Sequence, residues 1–490
     1  MKFKKFLALS LALLMLIPCL FACKKDDGNS DSTTVTTVAG ETNYLDKIPV
    51  IDLQGDDFVI VSPSRSWADT RMMATEQTAE VINDALYFRT LGIKERLNVN
   101  LVDQIVGSVT GTVKSSISTG DGEFDLLLLW PSDALMFHQE GLTADQNQIS
   151  TINFENPWWE TNINDQINVG NRKYITFNQS NLILYSGYYL FVFNKDMVQD
   201  NKLTSPYDLV SENKWTWEAA YEMMKAVATD ENLDGVSKPA DDETVGFVGH
   251  INHSQNLILS SGATLTTPDA NGNPVYNGLS ERYINAFTKY TDYFIKNPYT
   301  AISGLSPSAF EGYTSSSGLA NYINCFNEGK SLFMTTGSSE VTAIRESTLE
   351  YGIIIFPKYD MQQEDYVTPI YKAVDGFAIP SDHDEEGLNN IGIVMETLGA
   401  LSMFDPNVDL VNTHIGTVLH RRTANDPTAI DMITMVYEKS AIDICLSNNF
   451  GKCADYVLSL NTLGNSSNLT SIFGRVLTVI QKDIEKAVTF

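Results

Sequence analysis

Oxygen-bearing side chains at every second position make the segment 230–235 typical of a calcium-binding loop. Asp230, Asn232 and Asp234 alternate with other residues, and Gly235 stands sixth. Alternation on a tight loop turns these side chains inward, glycine permits the sharp bend, and calcium prefers hard oxygen ligands. We therefore predict a structural calcium ion whose ligands are oxygens of Asp230, Asn232, Asp234, the Val236 carbonyl and Asp241.

The same segment also fits an acidic surface turn, and both interpretations stay open. Asp242 and Glu243 compete with Asp241 for the closing position, where the shorter aspartate reaches less far than the usual glutamate. Lys238 stands at the ninth position, where a calcium loop more often carries an oxygen donor.

Catalytic signatures are missing from the sequence. It contains no G-x-S-x-G elbow, no H-E-x-x-H pair and no phosphate-binding glycine loop. His250 and His253 stand three residues apart, but no third metal ligand has a matching spacing, so a hydrogen-bonding role beside a cleft is favoured. We predict a protein that is not an enzyme, although 61 acidic residues leave room for a glycoside-cleaving carboxylate pair.

The elements that must position these residues alternate between strands and helices. Predicted strands cover 57–61, 98–105, 124–130, 185–194, 244–250, 331–336 and 352–357, and predicted helices cover 76–97, 385–404, 428–446 and 472–488. Such alternation is typical of parallel sheets joined by right-handed crossovers. The pattern indicates an α/β protein with two lobes.

Ligands of open α/β sheets bind beyond the carboxyl ends of the strands. That rule selects Arg65, Trp67, Trp130 and Asp133 in the first set of strands, and His250 and Ser338 in the second. Aromatic faces and hydrogen-bonding groups together suit a sugar ring, and an arginine adds a possible bond to an acidic sugar. Either tryptophan could instead pack in a core, as we expect for Trp158, Trp159, Trp215 and Trp217.

The N-terminus reads as a secretion signal that ends at Cys23. Three lysines precede an apolar run over 6–18, and Leu20-Phe21-Ala22-Cys23 looks like the lipobox of bacterial lipoproteins. Residues 1–22 would be the signal peptide, and 23–46 a lipid-anchored polar tether. This predicts a protein on the extracellular face of the cell membrane, or on the periplasmic side in a two-membrane bacterium.

The charge and the cysteine content argue against a nucleic-acid-binding protein, a disulfide framework and a zinc site. The net charge of −28 becomes −31 without the signal lysines, and no basic cluster is present, so nucleic-acid binding is excluded. Cys325, Cys445 and Cys453 form neither a disulfide framework nor a zinc site. Cys445 and Cys453 either meet across a turn or remain separate buried thiols.

Several segments in order resemble the extracellular solute-binding proteins of bacterial ABC importers, family 1, the maltose and oligosaccharide type. They are Thr78–Arg89, Leu190–Asp196, Lys214–Glu218, Asn327–Met334 and Tyr351–Lys358, and with the lipobox they run over nearly the whole mature chain. Phe88-Arg89-Thr90 departs from the Tyr-Glu-Arg-Asn that is usual in the family.

The resemblance implies a periplasmic-binding-protein-like type II fold, with two α/β lobes joined by hinge-crossing segments. Lobe 1 would hold 47–187 and 372–420, and lobe 2 would hold 188–371 and 421–490. Asp375 would lie where a crossing segment faces the cleft. In many relatives a calcium loop occupies the place of 230–241, although they usually have glycine where Leu233 stands here.

The resemblance implies a membrane-tethered monomer that captures a carbohydrate, expected to be an oligosaccharide, and delivers it to the permease subunits of an ABC importer. No cofactor is implied beyond the structural calcium. A binding protein for another solute, such as a peptide or polyamine, and a carbohydrate-active hydrolase are the alternatives.

Overall fold

The strands of this computed structural model form two main sheets. The structure describes residues 44–254, 256–276, 278–313, 320–341, 344, 348–419, 427–463 and 468–489, so the predicted signal peptide and Cys23 lie outside the described residues. Residues from Leu45 onward belong to one compact unit. In chain order the strands are β1 (Asp57–Pro63), β2 (Asn100–Val106), β3 (Leu126–Leu129), β4 (Tyr189–Asn194), β5 (Val245–His250), β6 (Thr267–Pro268), β7 (Pro274–Val275), β8 (Thr300–Ser303), β9 (Ser331–Gly337), β10 (Tyr351–Ile354), β11 (Thr368–Pro369), β12 (Gly376–Ala378) and β13 (Ser440–Ala441).

Helices fill the connections between the strands. They are α1 (Val81–Leu97), α2 (Val109–Thr119), α3 (Pro131–Gln139), α4 (Thr161–Ile167), α5 (Leu182–Gly187), α6 (Lys195–Asp200), α7 (Pro206–Ser211), α8 (Trp217–Val227), α9 (Ile251–Ser254), α10 (Leu257–Ser260), α11 (Glu281–Tyr290), α12 (Asn321–Asn327), α13 (Ser338–Val341), α14 (Glu385–Phe404), α15 (Leu410–Leu419), α16 (Pro427–Glu438), α17 (Ile444–Ser447), α18 (Cys453–Leu463) and α19 (Leu469–Val488). None of these described helices is both long and apolar enough to span a bilayer.

The first sheet has the strand order β12-β3-β1-β2. β1 runs parallel to β2 and β3, as the alternating pattern predicts, and all four residues of β3 are buried. β12 is antiparallel to β3, with Gly376 opposite Leu129. An entirely parallel sheet was therefore the wrong expectation, because the last strand enters this sheet from the opposite end.

The second sheet has the order β10-β4-β9-β5-β8. β5 is parallel to β8 and β9, whereas β4 runs antiparallel to both of its neighbours, β9 and β10. The short β6 and β7 form an antiparallel hairpin around Asn271-Gly272. β11 and β13 pair in parallel as a separate ribbon.

Capping side chains explain where several helices begin. The Glu80 carboxylate accepts the main-chain N–H groups of Ile82 and Asn83, so α1 begins at residue 81 rather than at 76. The Asn181 side chain accepts the N–H of Ile183 and begins α5, which replaces the first part of the strand predicted over 185–194. The helix predicted over 385–404 has those bounds in the structure.

Four of the six tryptophans lie in the core, as predicted. Trp158, Trp159, Trp215 and Trp217 are all almost fully buried. The indole N–H of Trp215 donates to the Ile355 carbonyl at 2.9 Å, and that of Trp159 donates to the Glu396 carboxylate at 2.9 Å. The rings of Trp215 and Trp159 therefore contribute apolar burial while their indole N–H groups stay hydrogen-bonded.

Arg89 lies in α1 and connects that helix to three separate segments of the chain. Its guanidinium is fully buried and donates to the carbonyls of Ser180 and Met72 and to the Ser402 hydroxyl, at 2.7 to 3.0 Å. Burial lowers the pKa of Arg89 to about 10. At the position where Phe88-Arg89-Thr90 departs from the family's usual residues, Arg89 therefore has a structural role in this chain.

The three described cysteines are buried free thiols. Cys445 and Cys453 do meet across the turn, with their sulfur atoms 3.2 Å apart, and the Cys453 thiol also donates to the Cys445 carbonyl at 3.0 Å. Cys325 lies elsewhere, in α12.

Candidate functional site

Four predicted site residues come together at one edge of the first sheet. Arg65 follows β1, Trp130 follows β3, and Asp375 immediately precedes β12. Because β12 is antiparallel to β3, the start of β12 lies beside the end of β3, which places Asp375 next to Trp130. Asp133, one turn into α3, faces the same group.

Arg65 and Asp375 form a two-point ion pair at the centre of this group. Arg65 Nη2 lies 2.6 Å from Asp375 Oδ1, and Arg65 Nε lies 2.9 Å from Oδ2. The guanidinium also covers the Trp130 ring, with its central carbon 4.3 Å from the ring centroid. Arg65 is therefore committed to two protein partners, and one face of Trp130 is occupied.

Burial dominates the electrostatics of the two aspartates. It raises the pKa of Asp375 to about 6, against the lowering effect of Arg65, and the nearby Asp133 charge raises it further. Burial likewise raises the pKa of Asp133, which Arg65 opposes. The charge of Arg65 thus acts to lower the pKa of both carboxylates at this edge of the sheet.

A row of rings connects this group to the second sheet. Trp67 is half-buried and packs edge-on against Tyr371, with ring centroids 5.3 Å apart. Tyr371 packs edge-on against Tyr189 at 6.4 Å, and Tyr189 contacts His253 at 5.2 Å. We call Trp67, Tyr371, Tyr189 and His253 the aromatic row.

The row lies where two chain segments pair between the sheets. Tyr188 and Ile370 form an isolated antiparallel bridge, and the Tyr371 N–H donates to the Gly187 carbonyl at 2.7 Å. Tyr189 and Tyr371 follow these bonds directly along each segment. Main-chain pairing therefore sets the spacing of the two central rings.

A histidine and carboxylate cluster lies at the second-sheet end of the row. Glu340 accepts hydrogen bonds from the hydroxyls of Tyr322 and Thr336 at 2.7 and 3.0 Å, and lies 3.5 Å from His253 Nδ1. Burial lowers the pKa of His253 to about 4, which keeps its imidazole neutral near pH 7. His250, at the end of β5, lies 5.6 Å from His253 between ring centroids.

Burial acts to raise the pKa of Glu340, but the hydrogen bonds that it accepts from the Tyr322 hydroxyl, the Gly337 N–H and the Thr336 hydroxyl hold it below its ordinary value. The cluster therefore offers a fixed negative charge and neutral imidazoles. The predicted pair His250 and His253 is brought together, as a hydrogen-bonding group.

Ser338 is not on an open surface. It lies where the end of β9 contacts the segment that precedes β4. Its hydroxyl donates to the Tyr185 carbonyl at 2.5 Å, and its N–H donates to the Tyr188 carbonyl at 2.8 Å. The residue is almost fully buried. Both of its donors therefore hold the end of β9 against the start of β4.

A cavity of about 240 Å³ opens beside the aromatic row. Its polar lining comes from Tyr189, Asn252, Asn256, Tyr371, Lys372 and Asp443. The strand-end rule missed all of these residues, because most of them lie on segments outside the parallel strands. The local signals that could have found them are the paired tyrosines of 188–189 and the Tyr371-Lys372 pair four residues before Asp375.

The loop 230–241 is organised around two different side chains. The buried Glu243 carboxylate accepts the N–H groups of Glu231, Asn232 and Lys238, at 2.7 to 3.2 Å. The Lys238 ammonium contacts the carboxylate of Asp234 and lies 3.5 Å from that of Asp241. A lysine charge thus lies between two of the predicted calcium ligands.

The remaining predicted ligands bond within the loop. The Asp230 carboxylate accepts the N–H groups of Asp234 and Gly235, and the side-chain amide oxygen of Asn232 also accepts the N–H of Asp234. Over the described residues, no group of three or more His, Cys, Asp or Glu side chains is arranged to hold a metal ion. The donors present do not fit calcium while Lys238 remains between the carboxylates.

Calcium binding here stays a proposal in which the ion competes with Lys238. Lys238→Met would free Asp234 and Asp241, so the melting temperature should differ between calcium and chelator by more in this variant than in the wild type. Differential scanning fluorimetry with calcium or EDTA measures the difference. Lys214→Met, at an exposed lysine outside the loop, is the control. If EDTA changes neither protein, the loop is an acidic turn only.

No known family model and no curated protein matches this sequence. Many solved structures resemble this chain in fold, including the following two. One is the ABC substrate-binding protein Lmo0181 from Listeria monocytogenes in complex with cycloalternan, at 13% identity and a TM-score of 0.51, covering 89% of this chain and 100% of that one. The other is a cyclo/maltodextrin-binding protein complexed with maltotetraose, at 13% identity and a TM-score of 0.56, covering 88% of this chain and 98% of that one.

This chain has the periplasmic-binding-protein-like type II fold. The expected fold class is therefore confirmed. The match extends over nearly the full length of both solved chains, so it includes both main sheets and the segments that connect them.

Proposed function

We propose that this protein is an extracellular solute-binding protein that captures a carbohydrate and delivers it to the permease subunits of an ABC importer. The observation that carries the proposal is the aromatic row, which joins polar groups of both sheets. Rings provide stacking faces, and the flanking carboxylates and imidazoles provide hydrogen bonds to hydroxyls. The two solved proteins of this fold, which are in complex with cycloalternan and maltotetraose, support the same class of ligand.

The two lobes of the proposal are 47–187 with 372–420, and 188–371 with 421–490. The paired segments near Tyr188 and Ile370 would form the crossing, and closure about such a crossing traps ligand in proteins of this kind. Trp67 and Asp133 would then act from lobe 1, and His250 from lobe 2. Arg65, Trp130 and Asp375 would shape the lobe 1 surface through their mutual contacts.

The proposal also includes a monomer attached to the membrane through acylated Cys23, without catalytic activity. The lipobox and the polar segment that follows it support this attachment. Lasting attachment needs more than one acyl chain, which the lipoprotein modification would supply.

A thermal-shift screen of the mature protein tests the proposed function. A ligand at a hundred times its dissociation constant stabilises the folded state by about 2.7 kcal/mol, so we expect at least one oligosaccharide to raise the melting temperature by several degrees. Mono- and oligosaccharides form one panel, and peptides and polyamines form the control panel. Stabilisation by the control panel alone would show that the solute is not a carbohydrate. Thin-layer chromatography of the incubated sugars would reveal any hydrolysis.

A further inference from the structure

The cavity beside the aromatic row has one cation and one anion in its lining, and they differ in what they contact. The two are Lys372 and Asp443. The Asp443 carboxylate accepts the N–H groups of Leu265 and Leu446, at 2.9 and 3.0 Å. It also begins α17 as its N-cap, so its oxygens are already used by the main chain.

Lys372 has no such partner. Among the described residues no carboxylate lies within 4.0 Å of its ammonium, and no hydrogen bond of its side chain is present there. Burial lowers the pKa of Lys372, against the raising effect of the Asp455 charge. An ammonium that is partly removed from water and lacks a counter-ion is unfavourable unless something else supplies the charge.

The surroundings match a sugar that carries an anionic group. Tyr371 and Tyr189 contribute aromatic rings to the cavity lining, and Ile258, Ile370 and Leu446 contribute aliphatic side chains. A chain with a net charge of −28 repels anions at long range, so an anionic ligand needs a local cation. Arg65 cannot supply it, since its charge is paired with Asp375.

We propose that the cavity binds the anionic group of an acidic carbohydrate, a uronate carboxylate or a sulfate ester, through the ammonium of Lys372. This inference rests on the proposed function and narrows its ligand class. The sugar ring that bears the anionic group would lie against Tyr371, so that the rest of an oligosaccharide continues along the aromatic row towards Trp67. A neutral sugar would leave the ammonium without a partner.

Matched pairs of saccharides test this ligand class by calorimetry. Oligogalacturonide trimers are compared with carboxyl-reduced trimers, and sulfated galactan oligosaccharides with the same material after desulfation. Hydrogen bonds to a charged group are strong enough that we expect the acidic member of one pair to bind the wild type about tenfold tighter, or more. The pair that shows the preference distinguishes the uronate from the sulfate ester.

Variants of one lysine assign the preference to the cavity. Lys372→Met should remove the acidic preference, so that both members of each pair bind this variant with similar affinity, and Lys372→Arg should retain most of the preference. Lys225→Met, at an exposed lysine of α8, removes the same charge elsewhere and should change nothing. Raising the salt concentration should lower the affinity of the wild type for the acidic saccharides and leave its affinity for the neutral ones unchanged.

Two results would overturn the inference without touching the proposed function. They are equal affinity of the wild type for both members of every pair, and an acidic preference that survives in Lys372→Met. Failure of every saccharide to bind the wild type would instead reject the proposed function itself.

Discussion

Trp67→Ala is expected to weaken binding of the saccharide found in the screen roughly ten- to a hundredfold, because the variant loses a stacking platform of the aromatic row. The melting temperature of the ligand-free protein should move little, since Trp67 is half-buried and contacts only one ring, that of Tyr371, among the described aromatic residues. Titration calorimetry and differential scanning fluorimetry measure the two quantities.

Trp159→Ala is the matched control for this prediction. Trp159 is buried, packs on Phe154 and donates to Glu396, so its loss should lower stability by about 3–5 kcal/mol and leave affinity unchanged in the fraction that remains folded. Unchanged affinity in Trp67→Ala, or a comparable loss of stability in both variants, would assign Trp67 to the core. Trp130→Ala should have the smaller direct effect on binding, because Arg65 already covers one face of that ring.

Gly399→Ala is expected to lower the free energy of unfolding by about 1–3 kcal/mol through overpacking. Gly399 lies in α14, and a Cβ atom there would stand 2.3 Å from Cδ1 and 2.7 Å from Cγ of Trp158. Trp158 is fully buried, so either the ring or the helix must shift. Urea denaturation of the two proteins measures the difference.

Gly474→Ala provides the opposite expectation at another helical glycine. Among the described residues, no atom beyond the adjoining residues and the nearby backbone of α19 itself lies within 4 Å of the corresponding Cβ position, so the variant should gain about 0.5–1 kcal/mol from the smaller entropy of the unfolded chain. A gain of stability in Gly399→Ala would contradict the packing of α14 against Trp158, and a loss in Gly474→Ala would contradict the open surroundings of Gly474.

Local patterns predicted the elements whose signal is contained within a few residues. The apolar run at 124–130 indicated β3, and helix α14 was predicted at its observed bounds, because each has a continuous pattern and its own cap. The strand-end rule brought Arg65 and Trp130 together, since the ends of neighbouring parallel strands share one edge of a sheet.

Features that depend on pairing between distant segments could not be predicted. The Arg65–Asp375 ion pair requires the antiparallel register of β12 against β3, and nothing local to either segment specifies it. The same holds for Tyr189 and Tyr371, which are brought together by the bridge at Tyr188 and Ile370. The sequence of 230–241 shows acidic and amide side chains at alternate positions. It does not show that Lys238 lies between the carboxylates of Asp234 and Asp241, because that position depends on the folded loop.

The antiparallel entry of β12 also sets an order of events in folding. β1, β2 and β3 come from the first 129 residues and can pair early, whereas β12 begins at residue 376 and must wait for the whole second sheet to be synthesised. Closing so long a loop is entropically costly and slow. Asp375 and Tyr371 arrive with that last strand, so a partly folded or truncated chain would lack both the partner of Arg65 and the centre of the aromatic row. Ligand binding should therefore report only on completely folded molecules.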